Sequence, residues 1–556
     1  MQITRSNNLR LRDYPLPLKL AITEDLTMDN PAYIKAKRQR RPTWGMDQKL
    51  RLYNYDNDGS LVLPRGYWDK LQERLTEMGL RPEVITDQVK GQDVDFGPWN
   101  DAYGVRDYQE PLIEAIKQKN GIAVSPAGSG KTIMGMRFIY ETGKPTLWLT
   151  HTKDLLYQTK ERAEATLKGV GRIGILGDGK KDYGDGKLII ATVQTLNADP
   201  SLVDFLVPYI GVVVIDEAHH FPAAQFIDTA ARFKAEKIVG LTATPDRKDG
   251  MENYMYMGVG PVLHEVSRSV LYDNDQLVLP EVKFVYSNFT YGDPTAAEGN
   301  VDAGGEDIDY ADLLNKLVND DARANLVAQS IVDAIPQGKA IVIAESVRYC
   351  FTLQKKVEAL AKTQGYNIKT AVVHGGLSRY VWRVAYSRGD AESKAAEYGT
   401  EFKYDGHARR WKVKTPQYTE AEFNSWQVTP TQRKEILRLC SQKEVDILFA
   451  TQLAREGLDF PHLAVGHSVT PKKGDSGQNK DGAALEQEIG RIMRRDPSNP
   501  DKKAIWYDYV DANVGIFKQQ YYSRRKVYKR LGIKLASKPK NSEADVLESL
   551  LDNIKY

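Results

Sequence analysis

Cysteine is nearly missing from these 556 residues: there are two, Cys350 and Cys440, far apart and inside apolar segments. That argues against a disulfide framework and a cysteine-rich zinc site, and it fits a reducing, cytoplasmic compartment. Long hydrophobic runs are missing too. No stretch approaches the ~20 apolar residues of a membrane span, and the first residues show no apolar core of a secretory signal. Membrane insertion and secretion are therefore not expected. A surplus of one charge is also lacking. The formal balance is +3, so any binding to nucleic acid has to come from local patches rather than a global field. With 41% hydrophobic and 27% charged residues the chain has a globular composition, and its length calls for about three or four domains.

One stretch organises the rest. Ser125-Pro126-Ala127-Gly128-Ser129-Gly130-Lys131-Thr132 follows the short apolar run Gly121–Val124 and precedes a helical pattern, Ile133–Tyr140. Strand, glycine-rich loop and helix in that order make a phosphate-binding loop. Gly128 and Gly130 let the backbone curl until successive N–H groups point inward, and the helix adds the positive end of its dipole. Lys131 is placed to reach the β- and γ-phosphates of ATP, and the Thr132 hydroxyl to hold Mg²⁺. Further along, the strand-like Val212–Ile215 ends in Asp216-Glu217-Ala218-His219. Asp216 suits Mg²⁺ held through water; Glu217 suits orienting and deprotonating an attacking water.

The remaining pattern divides the chain. Residues 1–100 carry no catalytic signature. There a basic run, Lys35–Arg41, precedes a strand, an Asp58-Gly59 turn, a second strand and a helix over Asp69–Met78, an accessory α+β domain. From 101 to 270 short apolar runs alternate with helical ones, the signature of a parallel α/β sheet that binds ligands at its C-terminal strand ends. Residues 271–320 are expected to be a linker with an acidic loop. A second alternating unit covers 321–515 and holds an insertion, 379–428. Within it Glu401–Val413, with Asp405-Gly406 at the turn, reads as a β-hairpin. Counting outward by two puts Lys403, Arg409 and Trp411 on one face. Residues 516–556 form a basic helical segment, with seven basic residues and no acidic one between Lys518 and Leu535 and with Tyr521, Tyr522 and Tyr528 interleaved. Such a mixture suits nucleic acid, and also a helix that packs back on the domain with a wet basic face; nucleic acid is the reading preferred.

Taken together, residues 103–510 resemble the superfamily two helicases of the DEAH-type branch, close to its XPB-like and type III restriction-subunit-like group. The resemblance implies an α/β fold with two RecA-like parallel-sheet domains in tandem. Arg106-Asp-Tyr-Gln109 resembles the element that reads adenine, which adds Arg106 and Gln109 to the nucleotide site. Leu149–Gln158 and Thr192–Thr195 resemble the two elements that grip a nucleic-acid backbone, implying Thr152, Lys153, Gln158, Thr192, Gln194 and Thr195. Leu241–Pro245 is similar to the element coupling hydrolysis to movement, through Thr242 and Thr244. Ala450–Pro461 resembles the element joining nucleotide and nucleic acid, implying Thr451, Gly457 and Asp459. Gln487–Arg494 matches the final element. It implies Arg491 and Arg494 as arginine fingers, with Gln487 where part of the family has histidine.

The resemblance implies a monomeric motor driven by ATP and Mg²⁺. Its expected role is a DNA helicase or branch-remodelling translocase of 3′–5′ polarity in repair, recombination or replication. Single-stranded, forked or branched DNA is the expected partner. In the insertion, Arg409, Arg410 and Trp411 are candidate contacts to it, by charge and by stacking; the alternative is a decorated surface hairpin with Trp411 as its small core. An RNA helicase is the nearest rival, because such motors grip mainly the backbone. A rival of another class is an ATP-switched DNA-binding subunit of a restriction or defence assembly, with little strand separation. A small-molecule kinase would leave the arginine pair and the second α/β half unexplained.

Overall fold

A computed structural model describes residues 1–38, 42–126, 128–218, 229, 232–243, 252–274, 276–291, 310–385, 387–405, 410–451, 460–474 and 483–535. The chain forms two compact units, residues 1–277 with 477–483, and residues 278–476 with 484–556.

The first unit begins with a small α+β module. Its strands are β1 (Gln2–Arg5), β2 (Asn8–Arg12), β3 (Thr27–Asp29), β4 (Lys49–Arg51), β5 (Asn54–Tyr55), β6 (Leu61–Pro64) and β7 (Glu83–Thr86). Five of them make a sheet in the order β5-β6-β2-β1-β7, and β3 pairs with β4 as a separate ribbon. Alternation decides which face is covered: Leu9 and Leu11 on β2, and Leu61 and Leu63 on β6, are buried with Leu18, Ile22 and Leu71 of two helices. Asp58-Gly59 turns β5 into β6, with Gly59 at φ +79°.

A larger sheet follows, built from β8 (Gly121–Val124), β9 (Thr146–Thr150), β10 (Ile173–Gly177), β11 (Lys180–Gly184), β12 (Leu188–Thr192), β13 (Val212–Asp216), β14 (Lys237–Thr242) and β15 (Val262–Glu265). Their order is β11-β10-β12-β9-β13-β14-β8-β15. Every pair is parallel except β10 with β11. The residues of β8, β9, β12 and β13 are all buried, as strands covered by helices on both faces must be.

The second unit has its own parallel sheet. The strands are β16 (Glu281–Tyr286), β17 (Ala340–Ala344), β18 (Thr370–Val373), then the inserted β19 (Tyr380–Ala385), β20 (Phe402–Asp405) and β21 (Arg410–Pro416), and finally β22 (Ile447–Thr451), β23 (Val465–Ser468) and β24 (Ile505–Val510). The main sheet runs β16-β24-β23-β17-β22-β18, all parallel.

Three expectations need correction. The segment 271–320 is not all linker, because β16 pairs over its whole length with β24; the loop 292–309 lies outside the described residues. The insertion is a three-stranded sheet, β19-β21-β20, carrying a helix over Arg388–Tyr398, rather than a lone hairpin. Tyr404 pairs with Trp411 and Lys403 with Lys412, so four residues, not two, separate the hairpin strands. Trp411 therefore shares a face with Tyr404 and not with Lys403.

The third correction concerns the basic C-terminal helix, Gly515–Arg530. It buries Phe517, Tyr521, Arg524, Val527 and Tyr528 along one face. The Arg524 guanidinium donates to both oxygens of Asp508 on β24, at 2.8–3.1 Å, and to the carbonyl of Lys472 at 2.9 Å. Tyr528 donates to the same carboxylate at 2.6 Å. These three side chains hold the helix to the sheet and are not presented to a polymer. Tyr522, by contrast, is exposed.

Candidate active site

The loop after β8 is held from below by the residues that precede it. Gln109, 2% exposed, donates through Nε2 to the Ser129 carbonyl at 2.8 Å, while its Oε1 accepts from the Arg106 N–H at 3.0 Å. The Tyr108 hydroxyl donates to the same Ser129 carbonyl, and Arg106 donates to that hydroxyl. Ser125 Oγ donates to Ser129 Oγ at 2.6 Å across the base of the loop. Gly128 and Gly130 both stand at φ +86°. A Cβ on Gly130 would meet Gln109 Nε2 at 2.7 Å, so strain and space both require glycine there. Pro126 is buried, and Ala127 lies outside the described residues. Lys131 and Thr132 open the helix Lys131–Thr142, so its unpaired N–H groups and dipole face the loop.

The loop and the carboxylates share one edge because β14 lies between β8 and β13 with all three strands parallel. Asp216 is the last residue of β13 and is buried. Its carboxyl is pushed well above the usual range, first by burial and then by the Glu217 carboxylate, with Lys131 opposing. Glu217 comes next at φ +49°, a left-handed turn uncommon for a non-glycine residue. It brings Oε1 to 3.4 Å from Lys131 Nζ. The set of oxygen donors, a buried carboxyl and a helix-start hydroxyl, fits a hard cation such as Mg²⁺. Thr242 is fully buried at the end of β14, where its carbonyl accepts from the Ser125 N–H; Thr244 lies outside the described residues.

The next strands carry the backbone-gripping candidates. β9 and β12 are neighbours, and their C-terminal ends bring these side chains together. Thr152 caps the helix Lys153–Thr166, accepting from the Leu155 N–H at 3.3 Å. The ammonium of Lys153, exposed, pairs with Asp178. Gln158 lies two turns into that helix. Thr192 and Thr195 share a hydroxyl hydrogen bond at 2.8 Å, and Gln194 donates to the His151 carbonyl at 3.0 Å. One sheet edge thus holds both candidate sets in the first unit.

In the second unit Thr451 is buried at the end of β22, and Gly457 and Asp459 lie outside the described residues. Gln487 and Arg491 sit on the helix Ala483–Met493, half-buried, and Arg494 comes one residue after its end. Between them Glu488, fully buried, pairs with the Lys472 ammonium at 2.7 Å. Lys472 is also the residue whose carbonyl Arg524 holds, so a chain of contacts runs from the C-terminal helix to the arginine-bearing one.

In the insertion, Arg409 and the side chain of Arg410 lie outside the described residues. Trp411 is not free for stacking. It packs with Phe402 against Ala385, Ala391, Ala395 and Val413, and its ring lies 5.2 Å from that of Tyr404. The opposite face carries Trp382, with Lys403 Nζ 4.3 Å and Lys414 Nζ 5.5 Å from its ring centre. The sequence reading did not include Trp382; the aromatic and β-branched run Tyr380–Ala385 was the available signal for a third strand.

Among the described residues no helix is long and apolar enough to cross a membrane. Residues 102–247 match the family model described as "Type III restriction enzyme, res subunit", and residues 409–496 match "Helicase conserved C-terminal domain". The chain is 24% identical over 433 residues to the DNA 3'-5' translocase XPB2 of Sulfurisphaera tokodaii, covering 78% of this chain and 87% of that one. It is 29% identical over 213 residues to the DNA 3'-5' helicase XPB of Kineococcus radiotolerans, covering 37% of each.

Proposed function

We propose that the chain is an ATP-driven motor of the helicase superfamily of XPB-like and type III restriction-like proteins, a reading its two family matches and its XPB2 relative support, and that its polymer is DNA, tracked 3′ to 5′. The observation that carries the reading is the shared edge of the first sheet. Asp216 and Glu217 stand at the end of β13, which adjoins β9, the strand before Thr152 and Lys153. β12, before Gln194, lies next to β9, and Lys131 follows β8, two strands from β13 and with Glu217 at 3.4 Å. A change in the phosphate site therefore has only a strand or two to cross before it moves a backbone grip. The XPB relatives, named as DNA 3'-5' enzymes, support the choice of polymer and polarity.

In this reading Lys131 neutralises the β- and γ-phosphate oxygens, and Glu217 takes the proton of the attacking water. Thr132 and Asp216 hold Mg²⁺, which when bound offsets charge on the same oxygens. Arg491 and Arg494 stabilise charge developing on the γ-phosphoryl group, a contribution of about 10³–10⁵ in rate where such arginines act. The Trp382 face of the insertion gives separated strands a stacking surface flanked by cations. The role is strand separation or branch remodelling in DNA repair, recombination or replication.

ATPase rates measured with single-stranded DNA, duplex, forked DNA and RNA, alongside unwinding of the same substrates, test the proposal. Stimulation and unwinding by forked DNA with a 3′ loading strand are expected. Stimulation by RNA alone would overturn the choice of polymer, and tight DNA binding with no strand separation would favour an ATP-switched binding subunit.

A further inference from the structure

Arg65 lies in a 3₁₀ turn, Arg65–Tyr67, that packs against the helix Glu252–Val259. The fit is close: a Cβ on Gly66 would come within 2.1 Å of the Tyr256 carbonyl oxygen. The Arg65 side chain is 7% exposed, and its Nη2 donates to the Ala235 carbonyl at 3.0 Å. Nη1 is buried with no hydrogen-bond partner among the described residues, and no carboxylate there forms an ion pair with the guanidinium. A second guanidinium, Arg5, lies near enough to lower the pKa of Arg65 further; burial and Arg5 together bring it down to about 9. Arg5 is itself half-buried, 4.8 Å over the Trp68 ring. Burying an unpaired charge beside a like charge is costly, and proteins seldom retain the arrangement without something to offset it.

Arg5 and Arg65 both line one cavity of about 340 Å³. Gln72, Gln88 and Gln118 add amide groups to its wall. Two acidic residues also line it, Asp69 and Glu236; both favour the charged form of Arg5, Asp69 more than Glu236, and Asp69 also pairs with Lys119 at 3.1 Å. The cavity opens beside Asn120 and Lys237, where β8 and β14 begin, whereas Lys131 and Asp216 stand where the strands of this sheet end. It is separate from the nucleotide loop and does not depend on the motor assignment.

We propose that this cavity is a binding site for a small phosphomonoester or free phosphate dianion, taken by the Arg65 and Arg5 guanidiniums together. Two planar guanidiniums match a tetrahedral oxyanion with paired N–H donors. The cavity has the volume of a small-molecule pocket, with room for the rest of a nucleotide-sized ligand. Because Arg65 belongs to the N-terminal module and Ala235 lies two residues before β14, an anion there would tighten the seat between module and sheet.

The test is thermal unfolding of the full chain carrying Lys131→Ala, which silences the phosphate loop. Phosphate, AMP, and an oligonucleotide without terminal phosphates are compared at constant ionic strength against chloride. A saturable rise in Tm with phosphate or AMP, of a few degrees at about 100-fold excess over Kd, is expected. Adding Arg65→Met should abolish that rise while leaving the anion-free Tm equal or higher, since the unpaired charge is gone. Adding Arg5→Gln should weaken the apparent affinity at least about tenfold, and it decides the matter if the Arg65 variant fails to fold. An undiminished response in both variants, no response to either anion, or a response confined to the oligonucleotide would overturn the assignment.

Discussion

Arg524 lies in the helix whose basic composition suited it to nucleic acid, and replacing it separates a packing role from a binding one. Its guanidinium is 1% exposed. It donates to both oxygens of Asp508, which also accepts from Tyr528, and to the carbonyls of Lys472 and Tyr509. In Arg524→Met the stem is kept, but the Asp508 carboxylate stays buried with only a phenol for company. Breaking a buried pair from one side costs about 3–5 kcal/mol, most of it the stranded charge. For a unit of this size a kcal/mol is worth roughly 2–4 °C, so the second unit should melt about 6–20 °C lower. Differential scanning calorimetry on the full chain reads this directly, with the first unit as an internal reference. Removing the stranded charge as well, in Arg524→Met with Asp508→Asn, should recover more than half of the loss, because the amide that replaces the carboxylate can still accept from Tyr528. The helix Ala483–Met493 should loosen in the single variant, since Lys472 links Arg524 to Glu488. An Arg524→Met protein that melts as the parent does but has lost affinity for DNA would refute the structural assignment.

Lys131→Ala should fold normally and lose ATP turnover; normal turnover would sink the phosphate-loop role. Glu217→Gln should still bind ATP and lose turnover, and it is also expected to hold DNA longer, so loss of nucleotide binding equal to that of Lys131→Ala would count against its role as base. Arg494→Ala should bind nucleotide nearly as before with turnover down ~10³-fold or more; an unchanged kcat would remove it from the phosphoryl-transfer step. Trp382→Ala with Lys403→Ala should keep ATP hydrolysis at saturating DNA, weaken affinity by about 1–3 kcal/mol and flatten its salt dependence. Salt titrations that match the parent would leave the insertion face without a role in binding.

The phosphate loop was legible in the chain because its parts are consecutive. A buried apolar strand, two glycines at positive φ and a lysine at the first turn of a helix need no distant partner to be recognised. Asp216 and Glu217 were legible for a similar reason, since an apolar run places the residues after it at a strand end. Contacts between residues far apart in the chain were left open. The basic content of Lys518–Leu535 reads the same whether the charges are wet or buried. Asp508, across the core on β24, decides that Arg524 is inside. In the insertion, the pairing of Trp411 with Tyr404 put it on the packed face rather than on the Lys403 face, and β19 supplied a tryptophan from outside the hairpin. Strand side chains alternate with a period of two, so a single step in register exchanges the wet face for the packed one. Nothing in the sequence marks Arg65 as buried; its burial follows from the close approach of Gly66 to the helix Glu252–Val259, where a Cβ has no room. Local chemistry is written in neighbouring residues; burial, and with it which charges are left to meet a ligand, is settled only when distant segments pack.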